Sequence, residues 1–174
     1  GEHATTAFGT VIVGSSAASA GLTGSSNVLV GISSAGALTS GTDNIFVGNS
    51  AGSQTTTADD NVFVGANAGT FNTTGHSNTF IGYRAAADDE TTSAGTNVTT
   101  GSNLTNIGFK ARASSSTATN QVTLGNSSIS SLRCQVQTIS SLSDARDKTD
   151  ITPLQAGLDF VERLDPVSFT WNMR

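Results

Sequence analysis

Short apolar runs recur along the first three quarters of the chain, and each closes on a glycine. Val11-Ile12-Val13-Gly14, Val28-Leu29-Val30-Gly31, Ile45-Phe46-Val47-Gly48, Val62-Phe63-Val64-Gly65 and Thr79-Phe80-Ile81-Gly82 place their glycines at 14, 31, 48, 65 and 82. The step is a constant 17 residues, lengthens to 26 at Gly108, and returns to 17 at Gly125. Self-similarity at a fixed period marks an architecture in which each unit stacks on the next. The pattern predicts seven rungs, each with one short strand.

The polar positions repeat as well. Asn27, Asn44, Asn61 and Asn78 open the runs, small-residue turns such as Asn49-Ser50-Ala51-Gly52 and Ala66-Asn67-Ala68-Gly69 follow them, and polar stretches (54–60, 72–77) complete the rungs. Glycine at a fixed place after a strand implies a positive φ or a close approach of neighbouring backbone. Asparagine at a fixed place suits a turn closed by its side chain or a ladder of stacked amides. At about 3.3 Å per residue, a rung has roughly 56 Å of contour, enough to run out and return but not to enclose a wide core.

Each rung offers three or four large apolar side chains. At about 1.5–3 kcal/mol apiece they barely offset the entropy of ordering the chain. That count predicts three chains sharing an interior, with Phe46, Phe63 and Phe80 stacked along it. The expected fold is therefore all-β: a trimeric intertwined β-solenoid of 17-residue rungs over residues 1–133, a connecting strand at 134–142, and a short α+β segment at 143–174. The lengthened step predicts a loop at 85–107 that leaves the stack.

Composition narrows the function. Charged residues are 12%, aromatics 6%, glycines number 19 and prolines 2, with a net charge of −5. No Lys or Arg precedes Arg84, which leaves a nucleic-acid backbone nothing to bind. No run of about 18 apolar residues exists. Gly1 to Thr10 lacks both an initiator Met and the pattern of a signal peptide, so the sequence reads as a fragment. Cys134 is the single cysteine; it can form no intrachain disulfide and reads as a small buried apolar residue.

The rungs resemble the head repeats of trimeric autotransporter adhesins, which pair a short apolar strand with a Gly-x-x-Ala turn, and the shafts of phage tail fibres. The resemblance covers roughly residues 9 to 130. Leu104 and Gln121 stand where Asn is expected, and Ala85-Ala86-Ala87 lacks the turn glycine.

After Leu132 the composition changes. Four of the eight basic residues, six of the thirteen acidic ones and both prolines lie beyond Ser143 or at its edge. Cys134 to Ile139 alternates as a strand would. Thr152 and Pro153 suit the start of a helix carrying Leu154, Leu158, Val161 and Leu164, and Val167 to Trp171 reads as a further strand. The stretch Ser143-Asp144-x-Arg146-x-Lys148, with Ile151, Pro153-Leu154 and Phe169-x-Trp171 behind it, resembles the start of the intramolecular chaperone of phage tail spikes and endosialidases. In that family the domain helps three chains fold and is then released by self-cleavage. The resemblance implies a scissile bond at Ser143–Asp144, with Ser143 and Lys148 as the reactive pair and Arg146 supporting. A lysine near another cation can act as base for a serine hydroxyl. Attack by Ser143 on its own carbonyl would close a four-membered ring, so cleavage there implies attack from another chain or help from Asp144.

Other candidates favour plain readings. His3 and His76 could ring a threefold axis around a metal, and Asp59-Asp60 or Asp88-Asp89-Glu90 could attract calcium; loop and solvated-turn roles account for them. Asn97-Val98-Thr99 fits a glycosylation pattern that a viral or bacterial source would leave unused. No nucleophile elbow, zinc spacing or phosphate loop appears, so no cofactor and no metal is called for. The sequence thus predicts a tail-fibre or tail-spike component of a virion, extracellular, acting in host attachment. Its partners are two further copies of itself, other tail proteins, and a host-surface polysaccharide or protein. The alternatives are a bacterial trimeric surface adhesin, or a glycan-degrading spike with Asp43 and Asp59 as paired carboxylates.

Overall fold

The structure, a computed structural model, describes residues 7–87 and 97–135. Seven strands follow one another: β1 (Val11–Val13), β2 (Val28–Val30), β3 (Ile45–Val47), β4 (Val62–Val64), β5 (Thr79–Ile81), β6 (Ser102–Ile107) and β7 (Thr119–Leu124). They form one parallel sheet in sequence order, with equivalent residues of successive rungs side by side, as in Ile45↔Val62, Phe46↔Phe63 and Val47↔Val64. This is a β-solenoid of about six turns. Among the described residues no helix is long and apolar enough to cross a membrane. The contacts divide the chain after Leu132.

The central residue of each triplet points inward. Leu29, Phe46, Phe63 and Phe80 are fully buried, and the three rings stack with centroids 4.6 and 4.7 Å apart and interplanar angles of 3° and 8°. This corrects an expectation. The phenylalanine stack lies inside one chain, not in an interior shared by three. The apolar count overlooked the small residues opposite the strand: Ala51, Ala68, Ala85 and Ala111 are fully buried and close the thin rung from the far side.

Asparagine serves both anticipated roles at once. Asn44 Nδ2 donates to Asn27 Oδ1 at 3.1 Å and to the Thr42 carbonyl at 3.0 Å. Asn61 Nδ2 repeats this toward Asn44 Oδ1 at 3.1 Å and the Asp59 carbonyl at 2.9 Å. The same oxygens accept backbone N–H groups one rung on, such as that of Asn78 onto Asn61 Oδ1 at 3.0 Å. Burying an amide is costly unless its donors and acceptor are paired, and along this ladder the next rung supplies the partners. The ladder ends at Leu104, whose N–H is still capped by Asn78 Oδ1 at 3.0 Å.

The repeating glycines are fixed by space. Gly48 has φ 144°, and a Cβ there would stand 2.4 Å from the Gly65 carbonyl oxygen. At the turn the residue can be larger: Ala86 takes the left-handed conformation (φ 62°) where Gly52 and Gly69 stand in earlier rungs. The missing turn glycine therefore does not interrupt the stack.

The insertion is narrower than 85–107. Ala85, Ala86 and Ala87 are buried in the stack, as is Val98. Thr73 N–H donates to the Thr99 carbonyl, and Thr99 N–H to that of Ser116, in the manner of Thr56 onto Thr73 one rung earlier. The nine extra residues thus fall between Ala87 and Asn97.

Candidate functional site

Ser143, Asp144, Arg146 and Lys148 lie outside the described residues, as do His3, Asp88-Asp89-Glu90, Trp171, the helix from Thr152 and the strand from Val167. Cys134 is exposed rather than buried, and neither it nor Gln135 is in a strand.

On the described solenoid Asp59 is held by a neighbouring rung. Asp59 Oδ1 accepts the backbone N–H of Thr42 at 2.7 Å and its hydroxyl at 3.2 Å, so one carboxylate oxygen ties two rungs together. His76 is exposed, its Nδ1 3.4 Å from the Ser77 hydroxyl. No group of three or more His, Cys, Asp or Glu among the described residues could hold a metal ion.

Two surface features stand out instead. The first is the outer face of the sheet. Because the central residue of each triplet points inward, the two flanking residues point outward and align into columns. One runs Val11, Val28, Ile45, Val62, Thr79, Thr105, Val122; the other runs Val13, Val30, Val47, Val64, Ile81, Ile107, Leu124. Twelve of these fourteen residues are aliphatic and none is charged. They are half-buried to exposed, from 36% at Val64 to 72% at Val122 among the most open.

The second is a local departure from the repeat. Following the strand glycine, earlier rungs carry Ser15-Ser16, Ile32-Ser33, Asn49-Ser50 and Ala66-Asn67, whereas the fifth and sixth carry Tyr83-Arg84 and Phe109-Lys110. Tyr83 and Phe109 are exposed and stack at 5.7 Å between centroids. Each ring lies beneath its own cation: the Arg84 guanidinium is 5.5 Å from the Tyr83 centroid and the Lys110 ammonium 5.4 Å from that of Phe109. Arg84 and Lys110 hold the left-handed backbone (φ 54° and 51°) that Ser and Asn hold in the other rungs. Long side chains occupy that region at a cost and are uncommon there. An open cleft of about 460 Å³ adjoins them, lined by Lys110, Arg112, Ser114, Thr123 and Asn126. Sequence reading passed over this patch, although the first basic residue of the chain, Arg84, marks where it begins.

Comparison with curated proteins and with solved structures gives no significant match. Against protein families, residues 143–173 match the chaperone of endosialidase, peptidase family S74. The sequence therefore runs from a parallel β-solenoid of 17-residue rungs to a segment that matches the endosialidase-chaperone family, an arrangement that fits the C-terminal region of a phage tail fibre.

Proposed function

We propose that the chain is a shaft and host-attachment piece of a trimeric tail fibre or spike, followed by a self-cleaving trimerisation chaperone. The observation that carries this reading is the family match at 143–173 placed directly behind a regular solenoid. A solenoid is a spacer by construction, since each rung adds only one strand spacing of about 4.8 Å to its length. Three copies side by side would present any weak surface site in triplicate, and linked weak sites bind far more tightly than one. The receptor contacts belong to the region where rungs five and six depart from the repeat, with the 88–96 insertion, the Tyr83–Phe109 stack and the hydroxyl- and amide-lined cleft beside it. Such groups suit a surface polysaccharide.

In this reading Ser143 and Lys148 cut the Ser143–Asp144 bond, with Arg146 lowering the proton affinity of the lysine and Asp144 assisting or a second chain attacking. One water is consumed, leaving a carboxylate on Ser143 and an amine on Asp144. The test is the native mass of the full chain beside Ser143→Ala. A trimer that has lost residues 144–174 in the parent, and retains them in Ser143→Ala, supports the reading. Intact chains in both would overturn self-cleavage, and a folded monomer would overturn the trimer.

A further inference from the structure

We infer that the outward aliphatic columns of the sheet are the surface on which three copies of this chain meet. The inference rests on the trimer reading above and assigns it a face. It also moves the shared interior from the phenylalanines, which are sealed within one chain, to the residues on either side of them.

Three observations support it. The first is extent. Seven strands at about 4.8 Å spacing make the face about 30 Å long, and its exposed apolar surface is on the order of 700 Å², more than the few hundred Å² of a monomer's ordinary largest patch. A standard protein interface takes about 800 Å² from each partner. The second is composition. A charged or proline residue on such a face would discourage pairing, yet the fourteen positions carry neither. The inward side is already complete, with Phe46, Phe63 and Phe80 buried by the chain's own alanines and asparagines, so these valines and isoleucines contribute nothing to closing the rung. The third is period. The face repeats every 17 residues with the rungs in register, and the partner that matches it along its whole length is a copy carrying the same period. One face per chain, turned toward a common axis, buries all three with none left over. The number three is that of the trimer reading above, which rests on the family match at 143–173.

The experiment uses the full chain with Cys134→Ser as background, since Cys134 is exposed. Val64→Cys places a thiol on the outward face, and Gln54→Cys places one at an exposed position outside the strands. Native mass gives the assembly state, and reaction with a small maleimide gives the accessibility of each thiol. The expected result is a trimer in which the thiol at position 64 reacts at least tenfold more slowly than the thiol at 54. A trimer with equal rates overturns the face and leaves the trimer reading intact. A monomer overturns both, and so does a protected thiol in a monomer, which would mean that the chain covers its own face. A protected dimer overturns the threefold arrangement. A second variant guards against the thiol being too mild: Val47→Glu with Val64→Glu puts six carboxylates into the proposed interior of one trimer. The expected result is loss of the trimer, or a lowered dissociation temperature, with the far-UV dichroism of the solenoid retained. An unchanged trimer overturns the proposal.

Discussion

Replacing Phe63 by alanine tests whether the core belongs to one chain. The ring is fully buried between Phe46 and Phe80, 4.6 and 4.7 Å away. Deleting a buried phenylalanine to alanine costs about 3–5 kcal/mol in lost transfer energy and residual cavity. Two ring contacts, each contributing about 0.5–1.5 kcal/mol beyond burial, push the value to the upper end. We expect about 5 kcal/mol, and at about 2–4 °C per kcal/mol a fall in melting temperature of roughly 10–20 °C. Phe63→Leu should cost far less, about 1–2 kcal/mol, because much of the volume remains and Leu29 fills the same column two rungs away. The assay is thermal unfolding by far-UV dichroism at several protein concentrations. Since the ring is closed off within its own chain, the variant should lose solenoid structure, not merely its partners. Dissociation into folded monomers, or a melting temperature within about 2 °C of the parent, would refute the reasoning.

Two further substitutions probe the polar side of the same core. Asn61→Ala removes the donors to Asn44 Oδ1 and the Asp59 carbonyl and leaves the buried Asn78 N–H without its acceptor. At about 1–3 kcal/mol for each stranded group we expect a loss of about 3 kcal/mol or more, read as a lower urea midpoint at an unchanged slope. Asn106→Leu should act in the opposite direction. Asn106 extends the phenylalanine column into the sixth rung, fully buried, and neither its Nδ2 nor its Oδ1 has a hydrogen-bond partner. Removing the amide should stabilise the chain by about 1–2 kcal/mol, and a midpoint that falls would contradict the buried placement of that side chain.

Much of the fold was legible because a constant step of 17 can be counted, and the seven strands stand on the seven runs that the count identified. The direction of each side chain was not legible. A triplet such as Val62-Phe63-Val64 has no apolar–polar alternation, so nothing within it tells inside from outside. The asparagine before it carried the missing information: Asn61 is buried by its ladder, and alternation from there sends Val62 out, Phe63 in and Val64 out. The ladder of stacked amides was one of the two roles anticipated for Asn, but its burial was not carried forward along the triplet, and the apolar flanks were counted as core. The single chain also seemed too poor in core because alanines such as Ala51 and Ala68 were placed in small-residue turns rather than counted as the opposite wall. The aromatic–cation patch was hidden for another reason: Tyr83-Arg84 and Phe109-Lys110 lie 26 residues apart, and only the stack makes them neighbours. The proposed cleavage pair rests solely on family resemblance, since Ser143 and Lys148 stand five apart in the sequence, which is not a helical neighbour spacing.

The strand triplet separates two tasks that one apolar run would seem to confuse. Phe63 closes the rung and Val64, its neighbour in sequence, faces away from it. Changes at the first should alter the free energy of folding, and changes at the second the free energy of association. Contacting residues usually couple, but here the sheet itself stands between the two side chains. The two columns differ accordingly: the flanking positions hold only Val, Ile, Leu and Thr, while the inward column runs from Ile12 and Leu29 through three phenylalanines to Asn106 and Thr123. A rung whose core depends on no partner can be added or removed one at a time, lengthening the shaft without disturbing the surface along which copies would meet. The nine extra residues after Ala87 illustrate the same tolerance: backbone pairing resumes at Val98 and Thr99, and the next strand, β6, still sets Ile107 beside Ile81.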